Sequence, residues 1–299
     1  MTAQPAWYPA RPTAPPDQMA SQPTPKVEPP RGRRGLAGLR SEVRARLLSA
    51  RELERVPPER YGFSVDAASW LFLITSVIYR WYFRTRCFGI EALPRGPVLL
   101  VANHGSHVLA WDGANIVTAC LLDAEPARLV HGMAEHRLME LPILGRAARR
   151  IGAVDGTRPS CISLLRAGAA VLTFPEGARA LTRVSRHRYQ LASFGHGFAH
   201  VALATGVPVV PVAVISAEEE APLIANPTWL RRLARTPIAP ITPTVVVPLP
   251  VRYRIHFGAP LWLHGPLRPD RVAREAERVR RALAALIQQG LAARRHVFF

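Results

Sequence analysis

The chain has 299 residues, 48% of them hydrophobic and 20% charged, which supports one sizeable core and excludes a chain disordered throughout. Its 39 basic residues against 21 acidic ones, a formal charge of +18, favour anionic partners: phospholipid surfaces, nucleic acid or phosphorylated substrates. Every basic residue except Lys26 is arginine, the codon bias of a GC-rich genome, and the widely spaced Cys87, Cys120 and Cys161 argue against a disulfide framework or a Cys-based zinc site.

Residues 1–35 hold nine prolines within the first thirty positions and no apolar periodicity, so they read as a disordered tail. No secretory signal is visible in them, and with the sparse cysteines this points to a reducing cytoplasm. The tail closes on the basic run Arg31-Gly32-Arg33-Arg34, either a solvated charge run or a contact for anionic headgroups. Residues 36–84 form a helical segment. Residues 36–56 repeat apolar positions at helical spacing. Ala67–Tyr79 is the most apolar stretch, thirteen residues long, whereas a membrane span needs about 20. With the mixed basic and aromatic run Arg80-Trp81-Tyr82-Phe83-Arg84 behind it, this helix suits either the headgroup layer of one leaflet or an ordinary core position.

Residues 85–299 follow a different pattern. Short apolar runs at Pro97–Ala102, Ala170–Phe174, Val207–Ile215 and Val251–Phe257, with a weaker one at Arg128–Met133, read as strands. Helical patterns fall at Gly113–Leu122, Ser160–Ala169, Phe198–Ala204 and Asp270–Leu291, the last with Asp270 as N-cap. The alternation predicts an α/β domain with a largely parallel central sheet flanked by helices.

Four blocks stand in order: VLLVANHGSHVLAWDG (98–113), LPILGRAARRIGAVDGTR (141–158), AVLTFPEGAR (170–179) and GVPVVPVAV (206–214). A strand delivering Asn103-His104, followed about seventy residues later by FPEG and an arginine, resembles the glycerolipid acyltransferase family over roughly residues 60–290. The chain is closest to the branch that resembles monoacylglycerol acyltransferases. Moving an acyl group from a thioester to an alcohol requires deprotonating a weak nucleophile, which suits histidine near neutral pH. A carboxylate on the other ring nitrogen fixes its tautomer and steadies the imidazolium. The resemblance implies His104 as base and Asp112 as partner. It also implies that the Glu176-Gly177 turn and Arg179 hold the acceptor, with Arg158 as a further phosphate contact.

The commonest family pattern places the aspartate five residues after the histidine. Here that position is Leu109, and Asp112 stands eight residues on. In one continuous helix those residues would lie about 12 Å apart, so the pair needs a non-helical connection, which Gly105 allows. The structural alternatives are Asp112 as helix N-cap, His104 as a strand-end residue, and a turn salt bridge for Glu176 and Arg179. His107 is a spare histidine, and Pro208 and Pro211 are structural.

No GxSxG elbow or phosphate-binding P-loop occurs. His196 and His200 stand one helical turn apart, but the Glu of HExxH is missing, so no metal is expected. Dispersed arginines without a reader motif leave no nucleic-acid partner expected. The expectation is a peripheral enzyme on the cytoplasmic face of the membrane, binding anionic lipid. It would pass a fatty acyl group from acyl-CoA or acyl-carrier protein to a lysophospholipid or related glycerolipid, with no bound cofactor. The alternative is a catalytically inactive lipid-surface binder, motivated by the displaced aspartate.

Overall fold

The computed structural model describes residues 35–56, 61–105, 110–140, 142–182, 187–223, 244 and 247–298. The proline-rich stretch 1–34 and His107 lie outside the described residues.

Among the described residues, seven strands form one sheet: β1 (Arg86–Phe88), β2 (Val98–Ala102), β3 (Val130–Ala134), β4 (Val154–Asp155), β5 (Ala170–Thr173), β6 (Val209–Ile215) and β7 (Arg254–Phe257), in the order β1-β7-β6-β2-β5-β3-β4. Neighbours are parallel except β6 and β7. The sheet is therefore mixed and mostly parallel. The sequence run expected as a strand from Val251 starts its pairing only at Arg254.

Both faces of the sheet are covered, so β2 and β6 are buried at every position and read as unbroken apolar runs. On one face lie α1 (Leu36–Glu52), α2 (Val65–Val77) and α3 (Trp111–Leu122). Their side chains Leu39, Val43, Phe72 and Ile116 pack with Leu100, Ala102 and Leu172. Helices α4 (His136–Glu140) and α5 (Leu144–Arg150) follow β3. On the opposite face α6 (Arg158–Arg166), α7 (Gly197–Thr205) and α8 (Pro269–Ala292) bury Leu164, Ala199, Leu283 and Ile287 against Leu99, Val101 and Val171. Thr157 caps α6 through a bond from Ser160 N to its Oγ1. Asp270 is not the N-cap of α8; Arg268 holds that place and Asp270 falls in the first turn, where its charge still complements the helix dipole.

Ser64 caps α2 by accepting from Ala67 N, and after Val77 the helix widens into a π turn, Ile78–Tyr82. One face is buried through Ala68, Phe72, Thr75 and Tyr79, while Trp70, Ile74 and Trp81 are more than half exposed, at 55%, 54% and 52%. No described helix is long and apolar enough to cross a membrane.

Candidate active site

Strand β2 ends at Ala102, and Asn103 continues its pairing with β6. Its Nδ2 donates to Val214 O at 3.0 Å, and Val214 N donates back to its Oδ1 at 2.8 Å. This amide clasp fixes the backbone immediately before His104. The His104 ring stacks on Phe174 with centroids 4.3 Å apart, and Phe174 follows β5, the strand paired with β2. Sequence reading saw Phe174 only as a strand end; its place under the imidazole depends on the β2–β5 register, Val101 beside Thr173.

Asp112 lies in the first turn of α3. The helix begins at Trp111, two residues before the expected start at Gly113, and its N-cap position is Ala110 rather than Asp112. The carboxylate is therefore turned toward the histidine: Asp112 Oδ2 is 2.6 Å from His104 Nδ1. The same oxygen accepts from Gly105 N at 2.6 Å, and Oδ1 accepts from Gly113 N at 2.7 Å. A carboxylate oxygen here can only accept, so His104 carries its proton on Nδ1 and Nε2 is the basic nitrogen. The side chains are 11% and 2% exposed. Burial pushes the Asp112 carboxyl up, but the His104 ring and the two amides outweigh it and hold the pKa below the ordinary value. Asp112 is thus an anion at neutral pH, poised to steady an imidazolium.

Behind this pair runs a cluster of acids that sequence reading missed. Glu218, Glu219 and Glu220 follow β6 and are all buried, at 4%, 6% and 0% exposure. Tyr189 N donates to Glu218 Oε2 at 3.0 Å, the Tyr189 hydroxyl donates to Glu219, and Arg294 pairs with Glu219 at 2.6 Å. The Tyr253 hydroxyl donates to Glu220. Burial pushes the Glu220 carboxyl well up, and the negative charge of Asp112 adds to the rise. Three consecutive glutamates suggest a solvated turn; only the distant Tyr189, Tyr253 and Arg294 reveal the cluster.

The FPEG turn follows β5 and so opens at the same sheet edge. Glu176 is buried, and its Oε2 accepts from Ala192 N at 2.7 Å. It ties the turn to the segment 190–195, to which Pro175 O is also bonded through Gly195 N at 2.8 Å. The glutamate expected to meet the acceptor is thus turned inward. Gly177 has a left-handed backbone, φ +57°, and both it and Arg179 are exposed. Arg179 Nε donates to Glu176 O at 3.2 Å. Arg158 is exposed at the start of α6, following β4, which lies three strands from β2 in the sheet order. His104, Asp112 and the 176–179 turn are brought to one edge, and Arg158 Nε lies 3.8 Å from where a Cβ on Gly197 would stand, near the segment that Pro175 O binds through Gly195 N.

The three cysteines are free and buried; burial pushes the thiols of Cys120 and Cys161 up to about 12, which keeps both as neutral packing groups. Among the described residues no cluster suited to a metal ion occurs.

An uncharacterized protein of Mycobacterium tuberculosis strain H37Rv is 34% identical over 236 residues, 74% of this chain and 65% of its own length. An uncharacterized protein of Mycobacterium leprae is 32% identical over 241 residues, 74% of this chain and 64% of its own. The chain thus spans just under two thirds of the length of these relatives. A human protein named "DGAT1/2-independent enzyme synthesizing storage lipids" is 27% identical over 208 residues, 67% of this chain and 60% of its own. The crystal structure of the 1-acyl-sn-glycerophosphate (LPA) acyltransferase of Thermotoga maritima is similar with a TM-score of 0.48 and 18% identity, over 76% of this chain and 81% of that one. Residues 84–215, the region that holds His104, Asp112 and the 176–179 turn together, match the model of the family described as Acyltransferase.

Proposed function

We propose that the chain is an O-acyltransferase moving a fatty acyl group from acyl-CoA or acyl-carrier protein to a hydroxyl of a lysophospholipid or related glycerolipid. The observation that carries this reading is the 2.6 Å contact between His104 Nδ1 and Asp112 Oδ2. His104 Nε2 takes the proton of the acceptor hydroxyl as its oxygen attacks the thioester carbonyl carbon. The C–S bond breaks, the thiolate leaves, and the imidazolium returns the proton to sulfur, so ester and free thiol are the products. Asp112, already anionic, stabilises the transient imidazolium. The 2.6 Å contact across the eight-residue spacing supports this reading over the catalytically inactive lipid-surface binder that the spacing motivated.

Arg179, exposed beside the buried Glu176, is suited to an acceptor phosphate. The exposed Trp70, Ile74 and Trp81 of α2 and its π turn form an apolar stripe suited to one leaflet of a bilayer, at the cytoplasmic face, without crossing it. Incubating the purified protein with labelled acyl-CoA and a panel of lyso-lipids, with products identified by mass spectrometry, tests the reading. Acylated glycerolipid supports it; absence of turnover on every acceptor and donor overturns it.

A further inference from the structure

In the basic and aromatic run after α2, Arg80 is neutralised by an ion pair and Arg84 is tied to backbone carbonyls. Arg80 pairs with Glu42 at 2.7 Å, Phe83 is fully buried, and Arg84 donates through Nη2 to Pro250 O and Phe298 O, both at 2.8 Å. Arg40 lies over the Trp70 ring, 4.4 Å from its centroid, so a docking stripe of Trp70, Ile74 and Trp81 has one cation of its own and takes further headgroup cations from elsewhere in the fold.

The neighbouring edge of the sheet supplies them. In β1 and β7 Arg86 stands beside Arg254 in register, and Arg254 pairs with Ile215 at the end of β6. Strand β6 also pairs with β2, so these arginines lie at the same end of the sheet as His104. The C-terminal segment is held against this edge: Arg252 N donates to Val297 O at 2.8 Å, and Arg254 Nη1 donates to Ala293 O at 2.8 Å. It brings Arg294, Arg295 and the exposed Phe298 alongside. Arg294 is neutralised by Glu219, but among the described residues Arg86, Arg252, Arg254 and Arg295 form no ion pair. Carbonyl partners orient a guanidinium without cancelling its charge. The crowding is strong enough that burial, followed by repulsion from Arg86, Arg252, Arg294 and Arg295, lowers the pKa of Arg254.

We propose that the β1–β7 edge and the C-terminal segment 294–298 form a headgroup site for anionic phospholipid, with Arg86, Arg252 and Arg295 meeting lipid phosphates while Trp81 and Phe298 enter the interface. It rests on the reading of α2 as a monolayer-docking helix and gives that helix its electrostatic half. Charge complementarity carries it: uncompensated guanidinium groups flank exposed aromatic side chains, the pattern of membrane interfaces, and guanidinium forks match phosphate oxygens. Docking on this face would bring the catalytic end of the sheet toward the bilayer that holds the acceptor.

Flotation of the full chain on phosphatidylcholine vesicles with and without phosphatidylglycerol tests the site. The surface variant R86Q/R295Q should keep the wild-type melting temperature and lose about fivefold per arginine in partitioning to the anionic vesicles. R86K/R295K should restore most of the binding, and a Trp70→Ser, Ile74→Ser variant should weaken binding to both vesicle types. Wild-type binding to neither vesicle overturns the docking reading and this site with it. Wild-type binding to anionic vesicles that R86Q/R295Q leaves unchanged overturns the site alone. Unchanged flotation with a raised KM for acyl-CoA in a vesicle-free assay would overturn it in favour of a donor-phosphate contact.

Discussion

Gly105 lies so close to Ala217 that a Cβ on the glycine would stand 2.7 Å from the Ala217 carbonyl oxygen. The obstacle is backbone at the start of the turn that carries Glu218–Glu220, so it cannot swing aside as a side chain would. Gly105→Ala should therefore shift the peptide whose N–H donates to Asp112, at an overpacking cost of about 1–3 kcal/mol. Thermal unfolding should show the loss, and kcat should fall more than tenfold if the His104–Asp112 geometry depends on that peptide. Wild-type stability and activity in this variant would show that the turn yields freely.

Glu220 offers a contrast between two substitutions. Burial pushes its carboxyl well above the ordinary range, which favours the neutral form, so Glu220→Gln, which keeps a neutral acceptor for the Tyr253 hydroxyl, should melt within a few degrees of wild type. Glu220→Ala strands the Tyr253 hydroxyl and should cost about 1–3 kcal/mol. A large loss in the Gln variant would instead mean that the charge is required.

The α/β alternation was legible because β2, β5 and β6 are buried apolar runs, followed at once by Asn103, Phe174 and Ser216. The three-residue β1 and two-residue β4 are too short to carry a period, and they exist because β7 and β3 offer pairing partners. Helix α3 starts before its glycine because Ala110 takes a left-handed backbone, φ +48°, which propensity does not foresee. His104, Asp112 and the 176–179 turn could be found from residue type and order. Phe174, Gly105 and the buried glutamates could not, since each owes its role to a contact across the sheet or from a distant loop.

His256 predicts part of the pH dependence of stability. It stacks on Phe88 at 4.6 Å, and burial, with the nearby Arg254, lowers its pKa from 6.5 to about 4. The folded protein therefore keeps this histidine neutral while the unfolded chain protonates below pH 6.5. Stability is fullest above that value, falls as pH drops toward 4 and loses nothing further from this group below it. The contribution is about 3 kcal/mol at most. His256→Phe preserves the stack and should flatten the denaturation midpoint across this window; an unchanged slope would assign the acid sensitivity to other groups.

Arg179→Ala should chiefly raise the KM for a phosphorylated acceptor, because a phosphate contact is present before and during reaction. Arg179→Lys should rescue it only partly, since a point charge does not replace the fork. Equal losses on phosphorylated and neutral acceptors, measured by initial rates, would place Arg179 in a structural role.

The most direct measurement is kcat for His104→Ala, Asp112→Asn and the double variant in one assay. General-base catalysis contributes about 10²–10⁴-fold, so His104→Ala should lose at least about two orders of magnitude. Asp112→Asn keeps the size of the side chain but removes the charge that steadies the imidazolium, and it should lose nearly as much. The double variant should then be scarcely worse than His104→Ala, as for residues that act as one unit. Near-wild-type kcat in Asp112→Asn, at an unchanged melting temperature, would contradict the account: the 2.6 Å contact would then be structural, and His104 would act without this carboxylate or not at all.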